Sequence, residues 1–289
     1  MIDAECPVDE EPVIVTLFCH FLKWAGLHHK LKGGLMARSF EDHFASVSKH
    51  YAEGRPTYPP ELFAWMADQC GDHVLAWDCG AGSGQASIGL AEYFGHVVAT
   101  DASESQISQS ISHPVVEYRV APAEKSALAD VSVDLVVVAQ ALHWFDRDRF
   151  FAEAERVLKP GGLLGVWCYG MPKVDGIEVN AVFRSFYRDE VGIFWPPERQ
   201  QVETGYCSID FPFLRLPVPE FEMKVSWRLV QLLDYIRSWS ATAGFIKSMG
   251  FDPVAGLEEK LQAVWGGAER NRAVKWPLTV IVGRKERCW

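Results

Sequence analysis

Between Val74 and Trp167, short apolar runs alternate with helical or turn-forming stretches, and this alternation constrains the fold more than any other feature. The runs are Val74–Asp78, Val97–Thr100, Val115–Val120, Val133–Ala139 and Leu163–Trp167. Val133–Ala139 is apolar almost without a break, as a strand buried on both faces must be. Helical patterns cover Glu61–Cys70, Gln85–Phe94, Ser103–Ile111 and Arg149–Leu158, and Gly95 stands where a helix C-cap is expected. Repeated strand and helix imply a parallel sheet covered on both faces, and right-handed crossovers make it doubly wound. Past Tyr169 the pattern loosens. Phe221–Trp227 and Leu278–Val282 read as strands, and Leu229–Trp239 and Leu257–Val264 as helices.

The first run ends in an acid and then in glycines: Asp78-Cys79-Gly80-Ala81-Gly82-Ser83-Gly84. In open α/β sheets, ligands sit beyond the carboxyl ends of the strands. Glycines there let backbone come close to a ligand and take positive φ. A dinucleotide fingerprint is GxGxxG, whereas these glycines form GxGxG behind a carboxylate. A pyrophosphate avoids that carboxylate, and an amino group can use it. The second run also ends in an acid, Asp101, placed to accept both hydroxyls of a ribose.

The 289 residues carry a formal net charge of -10, which offers no electrostatic footprint for nucleic acid. Seven cysteines lie scattered without CxxC spacing, so they read as reduced thiols rather than a zinc site or a disulfide framework. Residues 1–35 open with an acidic stretch, followed by an apolar run from Val13 to Trp24. That run is too short to span a bilayer and lacks the basic start of a secretory signal. These features predict a cytoplasmic protein without membrane insertion. Residues 1–35 form an extension and residues 36–289 one domain, with a proline- and aromatic-rich cap inserted over about 170–219. Oligomeric state is not legible.

Several segments together carry a family resemblance. Trp77–Gly84, Thr100-Asp101, Ala123-Glu124 and Lys159-Pro160-Gly161-Gly162 resemble the successive motifs of class I methyltransferases, over roughly Tyr51 to Tyr169. Arg55-Pro56-Thr57-Tyr58-Pro59, Ala139–Phe145 and Arg237-Ser238-Trp239-Ser240 resemble the trans-aconitate methyltransferase-like subgroup. The resemblance implies a Rossmann-like, mostly parallel, seven-stranded sheet and S-adenosylmethionine as cofactor. It also implies roles for residues. Asp78, Gly80, Ala81, Gly82 and Gly84 would hold the methionine part, and Asp101 the ribose. Ala102 and Ser103 would flank the adenine, as would Ala123 and Glu124. Gln140 would face the methyl group. The subgroup suggests a small carboxylic acid as acceptor, giving a methyl ester.

His143-Trp144-Phe145 follows the fourth strand, where this fold places ligands. His143 is a candidate base or positioning group, and Trp144 a face for the sulfonium cation. Arg55 is a candidate partner for a carboxylate. Tyr51 and Tyr58 are candidates to close over the site, with packing as an equal reading; Trp239 reads first as core packing and second as substrate-facing, and the stretch Ile193–Pro197 is a candidate to shape the pocket. Three other readings compete: a nicotinamide dehydrogenase, a non-catalytic cofactor-binding protein, and a methyltransferase of a lipophilic or quinone-type molecule.

Overall fold

The structure is a computed structural model that describes residues 56–286. The extension 1–35, Tyr51 and Arg55 lie outside the described residues. Helix α1 (Pro60–Gln69) leads into β1 (Leu75–Cys79), α2 (Gln85–Ala91), β2 (His96–Asp101), α3 (Glu104–Ile107), β3 (Val116–Val120) and β4 (Val133–Ala139). A 3-10 turn at Leu142–Trp144 precedes α4 (Arg147–Val157) and β5 (Leu158–Cys168). Then come β6 (Lys173–Val174), α5 (Ile177–Ser185), α6 (Arg199–Glu203), β7 (Leu214–Arg215) and β8 (Phe221–Trp227). Helices α7 (Leu229–Arg237), α8 (Ser240–Met249) and α9 (Val254–Trp265) precede the last strand, β9 (Arg272–Arg284).

Strands run in the order β3-β2-β1-β4-β5-β9, and all but β9 are parallel in this series. Nine strands occupy seven positions. On one side of β9, β5 pairs with its second half and β6 with its first, the register shifting by one residue between Cys168↔Thr279 and Lys173↔Lys275. On the other side, β7 and β8 continue one another in the same way. Pro277 explains the break between β5 and β6. It has no N–H to donate, and it falls between Lys275 and Thr279, where β9 has no partner on that side. The strand expected over Leu278–Val282 is thus part of a 13-residue strand.

Apolar residues on the two faces form two cores. One joins Leu135, Val137 and Trp167 to α1, α7 and α9, and the other joins Trp77, Val136 and Val138 to Phe150 of α4. Alternation along β4 supplies both. Two expected elements differ and one is new. Helix α2 stops at Ala91, and Gly95 caps nothing: its N–H donates to His73 O as the chain enters β2. Phe94 turns into the core there, ending the helix early. Helix α3 is a single turn, because Ser108 and Gln109 side chains bond back to Ser105 O. Helix α8 is an addition; small residues Ala241–Gly244 gave it no apolar stripe to read.

At the amino ends of the strands, Asp134 ties the sheet together. Its Oδ2 accepts from Val74 N and Leu75 N, both at 2.9 Å, and its Oδ1 pairs with Lys159 at 2.5 Å. Asp134→Ala leaves two backbone donors and an ammonium without a partner. Urea unfolding should show a loss of about 2–4 kcal/mol, with Asp134→Asn losing less because one amide oxygen still accepts. Equal losses in both variants would contradict this account.

Candidate active site

Strands β2, β1 and β4 are neighbours, so the residues after their carboxyl ends meet in one place. The chain leaves β1 through Gly80–Gly84. Gly80 N and Ala81 N donate to Thr100 O at 2.8 and 2.9 Å, which binds the loop to the end of β2. Gly80 has φ +73, and a Cβ there would lie 2.6 Å from Ala141 Cβ and 3.0 Å from the Phe145 ring. Gly84 has φ +89, and its Cβ would fall 2.2 Å from the Tyr118 hydroxyl. Neither position admits a side chain.

Asp78 is fully buried beneath this loop. Its Oδ2 accepts from Ser87 Oγ of α2 at 2.6 Å, while Oδ1 has no hydrogen-bond partner. Burial, with help from the nearby Asp101 charge, pushes its pKa up to about 7. Asp101 is oriented from both sides: Oδ2 accepts from Gly82 N at 2.9 Å and Oδ1 from Ser103 N at 2.8 Å. Ala102 is exposed beside it, and Ser103 is buried as the N-cap of α3. Ala123 is buried, and Glu124 accepts from Asp146 N, fastening this loop to the start of α4.

Gln140 ends β4 with φ +57, a conformation that costs a non-glycine residue energy. Its side-chain amide offsets that cost by donating to Tyr169 O at 2.8 Å and accepting from Tyr169 N at 3.1 Å. Gln140 therefore joins the tips of β4 and β5, and its amide is committed to backbone. Three residues on, His143 Nδ1 lies 2.9 Å from the Tyr206 hydroxyl, and the His143 ring is 4.9 Å from that of Trp144. Burial, followed by the nearby Arg199 charge, lowers the His143 pKa to about 3. His143 is a neutral imidazole at physiological pH.

The segment that follows β5 also reaches this region. Helix α6 packs on the Leu142–Trp144 turn. Arg199 Nε donates to Glu203 Oε1 at 2.9 Å and Arg199 Nη2 to the Tyr187 hydroxyl at 3.1 Å. Its guanidinium stacks on Trp195 at 4.7 Å from the ring centre. Trp239 is only 6% exposed and packs on Phe183, Tyr187, Trp195 and Tyr235, so it belongs to the core beneath the cap. Tyr58 is likewise a packing residue, edge-on to Trp167 at 5.3 Å. Ser87, Tyr206, Tyr187, Arg199 and Glu203 were not singled out from sequence; no local pattern marks them. Among the described residues, no His, Cys, Asp and Glu cluster is arranged to hold a metal ion, and no helix is long and apolar enough to cross a membrane.

Comparison with known proteins agrees with this arrangement. Residues 77–166 match the family model described as a methyltransferase domain. A Dictyostelium discoideum protein named as a methyltransferase is 35% identical over 253 residues, covering 86% of this chain and 96% of its own. An uncharacterized methyltransferase of Mycobacterium bovis is 41% identical over 180 residues, 57% of this chain and 71% of that one. The solved structure of a protein described as a type II methyltransferase, from Anaeromyxobacter dehalogenans, superposes with a TM-score of 0.77 at 44% identity. It covers 81% of this chain and 99% of that chain. With its Rossmann-like sheet and glycine loop, the chain belongs to the class I methyltransferase family and is an enzyme.

Proposed function

We propose that this enzyme transfers the methyl group of S-adenosylmethionine to a small carboxylic acid, forming a methyl ester. The observation that carries the cofactor is Asp78: a buried carboxylate with one orphaned oxygen, under a glycine loop that excludes side chains. What it lacks is positive charge. A zwitterionic nucleoside with an ammonium and a sulfonium supplies it at short range in low-dielectric surroundings. Asp101, pre-oriented by Gly82 N and Ser103 N, would take the ribose hydroxyls. Ala102, Ser103, Ala123 and Glu124 would border the adenine. Gln140 would shape the methyl end of the pocket by holding the β4 and β5 tips together, rather than by offering its amide. Residues 36–289 would act as one catalytic domain, and residues 1–35 as an extension to it. The reading places the reaction in the cytoplasm, with no nucleic-acid partner.

In the transfer, a carboxylate oxygen attacks the methyl carbon. The carbon–sulfur bond breaks, its electron pair goes to sulfur, and S-adenosylhomocysteine leaves as a neutral thioether. No proton moves, because the acid is already ionised at pH 7. A base is therefore unnecessary, in keeping with the His143 environment. Burial holds the Tyr206 hydroxyl protonated, and it lies 2.9 Å from His143 Nδ1. A buried O–H needs an acceptor, so we assign the donation to Nδ1. The imidazole proton then sits on Nε2, making His143 a hydrogen-bond donor to the acceptor's oxygen. Trp144 stands beside it as an aromatic face for the sulfonium. Arg55, outside the described residues, is a further candidate for the acid.

Two outcomes are expected. At saturating donor, His143→Asn should lower the rate without changing the shape of the pH profile between pH 5.5 and 8. A wild-type limb near pH 6.5 that vanishes in the variant would show a base instead. Second, S-adenosylhomocysteine binding, followed by calorimetry, should weaken up to about tenfold from pH 7.5 to 6 as Asp78 takes up its proton. Binding at pH 6 should release about one proton. Asp78→Asn should bind weakly, with no such release and no slope over this range. A slope that survives in Asp78→Asn would remove Asp78 from the donor site.

A further inference from the structure

Beyond the carboxyl end of β5, the cap holds a group of donors that the methyl-transfer chemistry leaves unused. Arg199 has five N–H bonds. Nε serves Glu203 and one Nη2 hydrogen serves the Tyr187 hydroxyl. Among the described residues, Nη1 has no partner, so the end-on edge of the guanidinium, Nη1 with the second Nη2 hydrogen, is open. That edge has the fork geometry that receives a carboxylate with two parallel bonds. The Arg199 side chain is 19% exposed, so it is reachable while mostly shielded from water.

Its orientation is fixed. Trp195 supports one face of the guanidinium, and Glu203 and Tyr187 grip its Nε side. Glu203 itself stands against the backbone at Gly170, just past the end of β5. An arginine held this way loses little further freedom on binding an anion. Two neighbours present donors as well. His143 Nε2 has no partner among the described residues, and its ring is close enough to Arg199 for the guanidinium charge to lower its pKa. The indole N–H of Trp195 is buried without an acceptor. An acceptor-only anion suits these donors.

The surroundings set the rest of the ligand. Trp195 stacks with Tyr187 at 5.1 Å and Trp239 at 5.5 Å, and Phe194 with Phe245 at 5.1 Å. Trp195 and Phe194 are half-buried. Flat apolar groups pack well on such rings.

We propose that Arg199, seated on Trp195, is the specificity-determining receptor for the carboxylate of the methyl acceptor, and that the acceptor is an amphipathic acid with a flat aryl or enoic body. This rests on the carboxylic-acid reading above and names the residue that enforces it. Arg199 holds one carboxylate oxygen, leaving the other for His143 Nε2–H and the methyl group.

The test uses the full chain with S-adenosylhomocysteine bound. Calorimetry compares trans-cinnamate, benzoate and sorbate with their amides. Wild type should bind at least one acid about tenfold or more tightly than its amide, since the amide lacks the charge that the guanidinium recognises. Arg199→Met should erase that preference while its affinity for S-adenosylhomocysteine stays within about twofold of wild type, showing an intact fold. Arg199→Lys should restore part of the preference. Acids binding no better than amides to wild type, or a preference that persists in Arg199→Met, would overturn the proposal. If wild type fails to bind S-adenosylhomocysteine, the donor assignment fails instead, and the two failures are separate readouts.

Discussion

A carboxylate sealed from water at the end of β1 is the constraint around which this molecule is arranged. Asp78 has Ser87 on one oxygen and nothing on the other. Moving its pKa from 3.8 to about 7 corresponds to roughly 4 kcal/mol between its two protonation states. The sign follows from the direction of the shift. Below the unfolded value the group costs nothing; as pH rises from 3.8 to about 7 the folded state loses stability, and above that the loss is complete. A fold that carries such a cost has it repaid by whatever cation binds nearby. The backbone above Asp78 is correspondingly bare, since Gly80 and Gly84 are places where a side chain would collide with Ala141 or Tyr118.

That part of the site was legible in the sequence because it is local. A strand that ends in an acid, with glycines at fixed spacing after it, announces itself within a few residues. Asp101 follows the same rule one strand later. The succession of strands and helices, and the doubly wound parallel sheet, were legible too, because the apolar runs are short and their connections admit one handedness. The acid ending β2 turned out to be held by Gly82 N and Ser103 N, partners drawn from the two loops it separates. Sequence spacing suggests such a meeting only through the topology.

What was not legible is made by distant contacts. His143 lies 63 residues from Tyr206, and that hydroxyl decides which ring nitrogen carries the proton. Gln140 was expected to point at the methyl group, yet its amide is spent on Tyr169, 29 residues away. Its positive φ cannot be read from a glutamine. The strand expected over Leu278–Val282 is longer in the structure, running through Pro277. Proline is tolerated there because β9 is unpaired on the side where its N–H would point, between the ends of β5 and β6. Trp239 lies in a subgroup motif, yet core packing was its default reading, and it is wedged among four rings.

The two halves of the site thus differ in how their charge is arranged. On the donor side an acid, Asp78, lacks a cation. On the cap side a base, Arg199, has Glu203 already beside it but keeps an open edge. Between them stands His143, neutral and committed to Tyr206 at Nδ1. A reaction that joins an anion to a sulfonium methyl group destroys one positive and one negative charge together. Its transition state is less polar than its reactants, so a site that removes water from both ions raises the ground state relative to it. If the acceptor is the proposed acid, fixed donors after β5 would hold it in line at little cost in reorganisation. Rigid aromatic rings, rather than solvent, would then surround the path along which the methyl group moves.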